Sequence, residues 1–211
     1  MIIVLCGRKG SGKNLAATFI VKHSKLNFIE RSFAYDLKKV ASIFTGLDCH
    51  SNEFKSNIVQ GWDMTGRVFL TKMGKILRKY FHKDIFILSL MRKYEKDLLE
   101  MKHYLHKNKS KKQASSMVNW IITDWRFENE IDFLKNNIEK VVTIRIVRPC
   151  IEPKKNLVNY FKSLFNIGED FDVTETSLRR YKTDYTIIAN NSKELESGII
   201  NVLEKLNIKK S

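Results

Sequence analysis

Proline and cysteine are scarce in this sequence. Two prolines and nine glycines in 211 residues leave little room for a long structureless linker. The three cysteines, Cys6, Cys49 and Cys150, are odd in number and far apart. They offer neither a disulfide framework nor a metal-ligand spacing, so reduced thiols in a cytosol-like compartment are expected. His103 and His106 stand three apart in a lysine-rich stretch, with no Cys or carboxylate pattern beside them, which argues against a zinc motif. No apolar run reaches the roughly 20 residues that cross a bilayer, so no membrane partner is expected. The opening run Met1–Cys6 is apolar but has no basic flank and no small-residue cleavage site. It reads as a core strand rather than a signal peptide.

Acidic residues are also few. Against 38 Lys and Arg stand 23 Asp and Glu, a formal charge of +15. Such a field favours anionic partners: nucleotides, nucleic acid or anionic surfaces. The most basic stretch, from Lys102 to Ser116, lacks the interleaved aromatics of a single-strand platform. It reads first as a solvated loop or helix end, and a nucleic-acid partner is the weaker alternative. A hydrophobic fraction of 43% is enough for a real core and argues against disorder.

The order of elements points to a parallel α/β sheet. Residues 1–6 predict a strand buried on both faces, 7–12 a glycine turn, and the residues from Lys13 a helix with Leu15, Ala16, Phe19 and Ile20 at helical spacing. A second strand is expected over 27–34, helices over 35–44, 65–80 and 84–104, and a polar loop over 46–56. Further strands are expected over 118–123, 141–147 and 185–189, with helices over 127–136 and 193–208. Residues 150–182 read as irregular and charged.

Gly7-Arg8-Lys9-Gly10-Ser11-Gly12-Lys13 fits G-x-x-x-x-G-K. Glycines let backbone N–H groups curl round a phosphate chain, and the following helix turns its positive end towards it. Lys13 is placed to reach the β- and γ-phosphates. The usual Ser or Thr after that lysine is Asn14, whose amide oxygen could serve Mg²⁺ directly or through water. Asp124, at the end of the strand Ile121-Ile122-Thr123, supplies the acidic second half of such a site, and Arg126 follows at once.

These residues resemble a family, the phage and viral deoxynucleoside monophosphate kinases. Asp124-Trp125-Arg126-Phe127-Glu128-Asn129-Glu130 is similar to its D-V-R-F-P-N-E. Phe33-Ala34-Tyr35-Asp36-Leu37-Lys38 resembles its F-A-x-x-L-K, and Thr65–Gly74 its T-P-R-x-L-L-Q-x-x-G. Arg78, Asp84 and the run Asp184–Asn190 match in order, so the resemblance touches nearly the whole chain. Two positions depart from it. Thr71 stands where a Gln is usual, and of the late His-x-Ser-Glu only Glu175 carries over.

The resemblance implies one three-layer P-loop kinase domain over 1–211, with a central parallel sheet, a helical acceptor-binding insertion at about 35–95 and a lid at about 150–182. It implies ATP and Mg²⁺ as cofactors and a mononucleotide as the small-molecule partner. Lys13, Asp124 and Arg126 are expected to act on the transferring phosphate, with Asn14 and Asp124 as metal ligands. Gly7, Gly10, Ser11, Gly12, Arg148, Arg179 and Asn190 are expected at the nucleotide, and Arg180 beside them. Lys38, Arg67, Phe69, Arg78 and Glu175 are expected at the acceptor, with Tyr35 and Trp62 as weaker candidates for stacking on its base. Phage relatives are often dimers, so a homodimer is open, and the expected location is cytoplasm, that of the host for a viral chain. Two rivals remain open on sequence alone: another small-molecule kinase of the phosphomevalonate type, and a nucleic-acid-binding P-loop ATPase.

Overall fold

A computed structural model describes residues 1–104, 118–151, 178 and 181–210. The chain divides into two compact units: residues 1–31 with 98–211, and residues 32–97.

The first unit is built on a five-stranded parallel sheet of β1 (Ile2–Cys6), β2 (Ile29–Arg31), β5 (Trp120–Ile122), β6 (Val141–Val147) and β7 (Tyr185–Ile188), in the order β2-β5-β1-β6-β7. The order places β1 at the centre. Every one of its residues is buried, as a strand covered on both faces requires. Ile3 and Leu5 face a core shared with α1 (Lys13–His23) and α7 (Ser192–Lys205), where Ala16, Ile20, Leu195 and Ile199 fill the space. Each of the Ile and Leu side chains contributes about 1.5–3 kcal/mol on burial. At Gly198 a Cβ would come within 2.5 Å of Ile187, so α7 lies close on β7. A further helix, α6 (Glu128–Asn137), links β5 to β6 and buries Ile131 and Leu134.

The strand expected over 27–34 shrinks to Ile29–Arg31. It lies at the sheet edge and pairs with β5 alone, and β5 ends at Ile122, opposite Arg31, so the ladder has no partner beyond. Helix α7 ends at Lys205 rather than 208, and Ile208 instead folds back to donate its N–H to Leu203 O. Arg148 is followed by a 3₁₀ turn, Pro149–Ile151. Most of the predicted lid and of the basic stretch, Glu175, Arg179 and Arg180 among them, lies outside the described residues.

The second unit contains α2 (Tyr35–Thr45), α3 (Asn52–Ser56), the hairpin strands β3 (Ile58–Val59) and β4 (Met64–Thr65), and α4 (Gly66–Tyr80). It also holds most of α5 (Ile85–Tyr104), which continues past residue 97. The polar loop expected over 46–56 is partly helical. Ser51 caps α3 by accepting the Phe54 N–H at 3.0 Å, the usual work of a serine at that position. The hairpin was not anticipated. Its turn needs left-handed backbone at Gly61 and Asp63, with φ of 79° and 48°. Gly66 is fixed by close approach, since a Cβ there would lie 2.1 Å from Phe54 O. A small core of Ala41, Cys49, Phe54, Val59 and Phe69 holds α2, α3, the hairpin and α4 together.

Candidate functional site: a phosphate loop and a carboxylate turn on neighbouring strands

All strands of the sheet run the same way, so the segments that follow them leave one edge. In open α/β sheets ligands bind outside that carboxyl edge. β1 pairs with β5 on one side, Val4 opposite Ile122, and with β6 on the other, Cys6 opposite Arg145. The register brings to one edge the glycine loop after β1, Asp124 and Arg126 after β5, Arg148 after β6 and Asn190 after β7.

The loop Gly7–Gly12 owes its shape to missing side chains. Gly7, Gly10 and Gly12 take φ of 149°, 81° and 97°, values that strain other residues. At Gly7 space forbids a side chain as well, since a Cβ would sit 2.4 Å from Ile146 O on β6 and 2.6 Å from Ser11 Oγ. The loop is thus pressed onto the neighbouring strand. Lys13 Nζ donates to the carbonyls of Gly7 at 2.6 Å and Arg8 at 2.8 Å, which keeps its charge at the loop.

Two observations fit this loop to an anion. Helix α1 starts with no capping side chain and no acid in its first turn, so its leading N–H groups are left for a ligand. The Ser11 hydroxyl is buried, at 4% exposure, and has no hydrogen-bond partner. Buried polar groups are rarely left so, and an anionic oxygen would satisfy it. Asn14 lies exposed in the first turn of α1, and Asp124 is half-buried just past β5. An amide oxygen and a carboxylate on neighbouring segments are hard donors that suit Mg²⁺, which usually takes one or two protein ligands with phosphates and waters.

The turn after β5 is shaped by side chains that are present. Glu130 is 2% exposed, and its Oε2 accepts the N–H groups of Arg126 at 3.0 Å and Phe127 at 3.2 Å. Trp125, 4% exposed, donates its indole N–H to Phe127 O at 2.7 Å. Asp124 and Arg126, to either side of the buried indole, remain half-buried and exposed. In the sequence Glu130 is merely the last letter of a motif. The signal that it is a cap is a glutamate at the third position of a helix.

No family model matches the sequence. Among curated proteins, one from Acanthamoeba polyphaga mimivirus is 31% identical over 209 residues, covering 93% of this chain and 91% of the relative. It carries the provisional name of a deoxynucleotide monophosphate kinase. This chain belongs to the deoxynucleotide monophosphate kinase family. It is accordingly a phosphotransferase. Among solved structures, it is similar to a Janibacter sugar kinase, at 16% identity over 98% of this chain and 94% of the other, TM-score 0.44. A second is dephospho-CoA kinase from Campylobacter jejuni, at 13% identity over 97% and 96%, TM-score 0.42.

The run Asp184–Asn190 of the family resemblance also makes structural contacts. Asp184 Oδ2 accepts both the backbone N–H and the hydroxyl of Thr143, at 2.7 and 2.6 Å, and the Asp184 N–H donates back to the Thr143 hydroxyl at 2.9 Å. Burial pushes the Asp184 carboxyl up, but the Thr143 bonds and Lys135 outweigh it and hold the group below its ordinary value. This pins β7 to β6. Asn190, expected at the nucleotide, directs its backbone N–H and amide Nδ2 at Glu194 Oε2, at 2.7 and 3.1 Å. Beside it Asn191 caps α7 by accepting the Glu194 N–H at 3.0 Å.

In the second unit, Lys38 on α2 and Arg67 in the first turn of α4 are half-buried, and these two helices pack on each other. Arg78 lays its guanidinium over the Phe86 ring, 4.4 Å from the centroid. Phe69, the residue expected at the acceptor base, is 6% exposed and packs in the small core. Trp62, edge-on to Phe69 at 4.8 Å, keeps 43% of its surface exposed. Asp36 ties α2 to α5: it accepts from the Ser89 hydroxyl and from Lys93 Nζ at 2.7 Å. Burial raises the Asp36 carboxyl, yet these partners leave it below its usual range. Lys93 also lies over the Tyr35 ring at 4.1 Å. Cys6, 1% exposed beside the loop, is an inert thiol that burial pushes up to about 11.

Proposed function

We propose that this chain transfers the γ-phosphate of ATP to a deoxynucleoside monophosphate, giving ADP and the deoxynucleoside diphosphate. The reading is carried by one arrangement above all: a phosphate loop with a buried, partnerless Ser11 hydroxyl beside a carboxylate–arginine turn on the neighbouring strand.

An oxygen of the acceptor phosphate attacks the γ-phosphorus. The bond to the β–γ bridging oxygen breaks, and ADP leaves with that oxygen. The acceptor is already ionised near neutral pH, so no general base is required. Catalysis of this kind is mostly positioning and charge stabilisation. Lys13 Nζ, now on the carbonyls of Gly7 and Arg8, would exchange them for phosphate oxygens. The loop N–H groups of Gly10 to Gly12 and the start of α1 would hold the donor phosphates. Arg126 and Arg148 add cations at the same edge, and Arg179 is proposed to join them. Mg²⁺, held by Asp124 with Asn14 directly or through water, would neutralise phosphate charge. Lys38, Arg67 and Arg78 are assigned to the acceptor phosphate, where a guanidinium can bind bidentately, and Glu175 to the acceptor.

A coupled ADP-release assay against dTMP, dGMP, dCMP, dAMP, their ribose counterparts and phosphomevalonate tests the assignment. Turnover with one or more deoxynucleotides is expected. Activity confined to phosphomevalonate, or ATP hydrolysis stimulated by DNA, would replace it with one of the two rival readings.

A further inference from the structure

The Asp124–Arg126 turn is held by more than its own residues. Trp125 is buried between its two polar neighbours, and its indole N–H fixes Phe127 O at 2.7 Å. Glu130 fixes the N–H groups on either side of the Arg126 carbonyl. The backbone around Arg126 is therefore tied down by two side chains, and the indole is one of them.

The indole itself leans on a residue far along the chain. Tyr181 stands edge-on to Trp125, with ring centroids 5.1 Å apart and planes at 88°, a favoured aromatic geometry. Tyr181 does not float there. The Arg145 guanidinium on β6 donates to Tyr181 O at 2.9 Å and to Leu178 O. Lys135 of α6 lies 5.9 Å from the centre of the Tyr181 ring. A set of contacts thus runs from Arg145 on β6, through the carbonyls of Leu178 and Tyr181, to the Tyr181 ring, the indole and the turn carrying Asp124 and Arg126.

Given the kinase reading above, on which its kinetic half rests, we propose that Tyr181 is a positioning residue acting through Trp125. Its ring sets the orientation in which the indole N–H meets Phe127 O, and so the placement of Arg126 and Asp124 against the transferring phosphate. Neither aromatic residue touches the reacting atoms. A small misplacement of such groups is costly, since phosphoryl transfer depends on position.

The test combines turnover with hydrogen exchange of the Trp125 indole N–H, read by NMR and assigned by its loss in Trp125→Phe. In Tyr181→Phe both should match the wild type, because the ring edge is kept. In Tyr181→Leu the indole proton should exchange about tenfold faster and kcat should fall about tenfold, with the acceptor KM within about twofold. Trp125→Phe should lose as much kcat, and the double variant no more than Trp125→Phe alone, since both act through one contact. Unchanged indole exchange in Tyr181→Leu overturns the proposal, whatever happens to turnover. Faster exchange with unchanged kcat also overturns it, leaving the pair as packing. If the wild type phosphorylates none of the deoxynucleotides, the kinase reading fails separately, and the exchange result alone decides whether Tyr181 holds the turn.

Discussion

Two loops leave neighbouring strands at one edge of the sheet and are made in opposite ways. The loop after β1 is defined by what its residues lack. Gly7 must be glycine because a Cβ would strike Ile146 O, and Gly10 and Gly12 adopt backbone that side chains strain. The turn after β5 is defined by side chains, with Glu130 and Trp125 tying down the peptide groups around Arg126. Adding an atom should damage the first, and removing atoms should damage the second. Both constructions fix a backbone before any ligand arrives, so little ordering is left for binding to supply.

Variants can break that comparison. The largest effect is expected from Lys13→Ala, which keeps the glycines that shape the loop but removes its charge. Turnover should fall about a thousandfold or more, while thermal unfolding stays near the wild-type value. Turnover persisting in this variant would move the site elsewhere. Gly7→Ala should come next. The added methyl must displace both Ile146 O and the Ser11 hydroxyl, costing about 2–4 kcal/mol by denaturant unfolding and about a hundredfold in kcat/KM. A Gly7→Ala protein of normal stability and activity would show that the loop is not pressed on β6.

On the other side of the comparison, Glu130→Ala strands two backbone N–H groups in a part-buried turn. A loss of about 1–3 kcal/mol is expected, with a fall in kcat larger than any change in the ATP KM. The smallest effect is expected at a site remote from both loops. Asp184 is held below its ordinary value, so it stabilises the fold at neutral pH, above the carboxylate's unfolded value. That contribution is lost as the pH falls through the lower folded value. The stability gap between wild type and Asp184→Asn should therefore be open at pH 7 and close in acid. A gap that widens in acid would contradict the Thr143 assignment.

The same contrast decides what could be read from the sequence. A loop made by glycines is spelled out letter by letter, so Gly7 to Lys13, its strand and its helix are legible at once. The parallel sheet is legible too, because β1 and β5 are continuous apolar runs and β6 is rich in β-branched residues. A turn held by side chains is harder to read. Glu130 shows in the sequence only as a glutamate at the third position of a helix, and Trp125 meets Tyr181 across 56 positions of sequence. Phe69 and Asn190 carry structural contacts that their residue types do not announce. Phe69 lies in a small buried core, and Asn190 bonds Glu194 in the first turn of α7. The hairpin at 58–65 is short, and its turn relies on left-handed backbone at Asp63, a residue type that tolerates it without announcing it.

The most direct test follows the phosphate itself. The purified protein is given γ-labelled ATP, Mg²⁺ and each deoxynucleoside monophosphate in turn, and the products are separated. The account predicts label at the β-position of a deoxynucleoside diphosphate, absent with Lys13→Ala. Label appearing only as free phosphate, with no diphosphate formed from any deoxynucleotide, would contradict it.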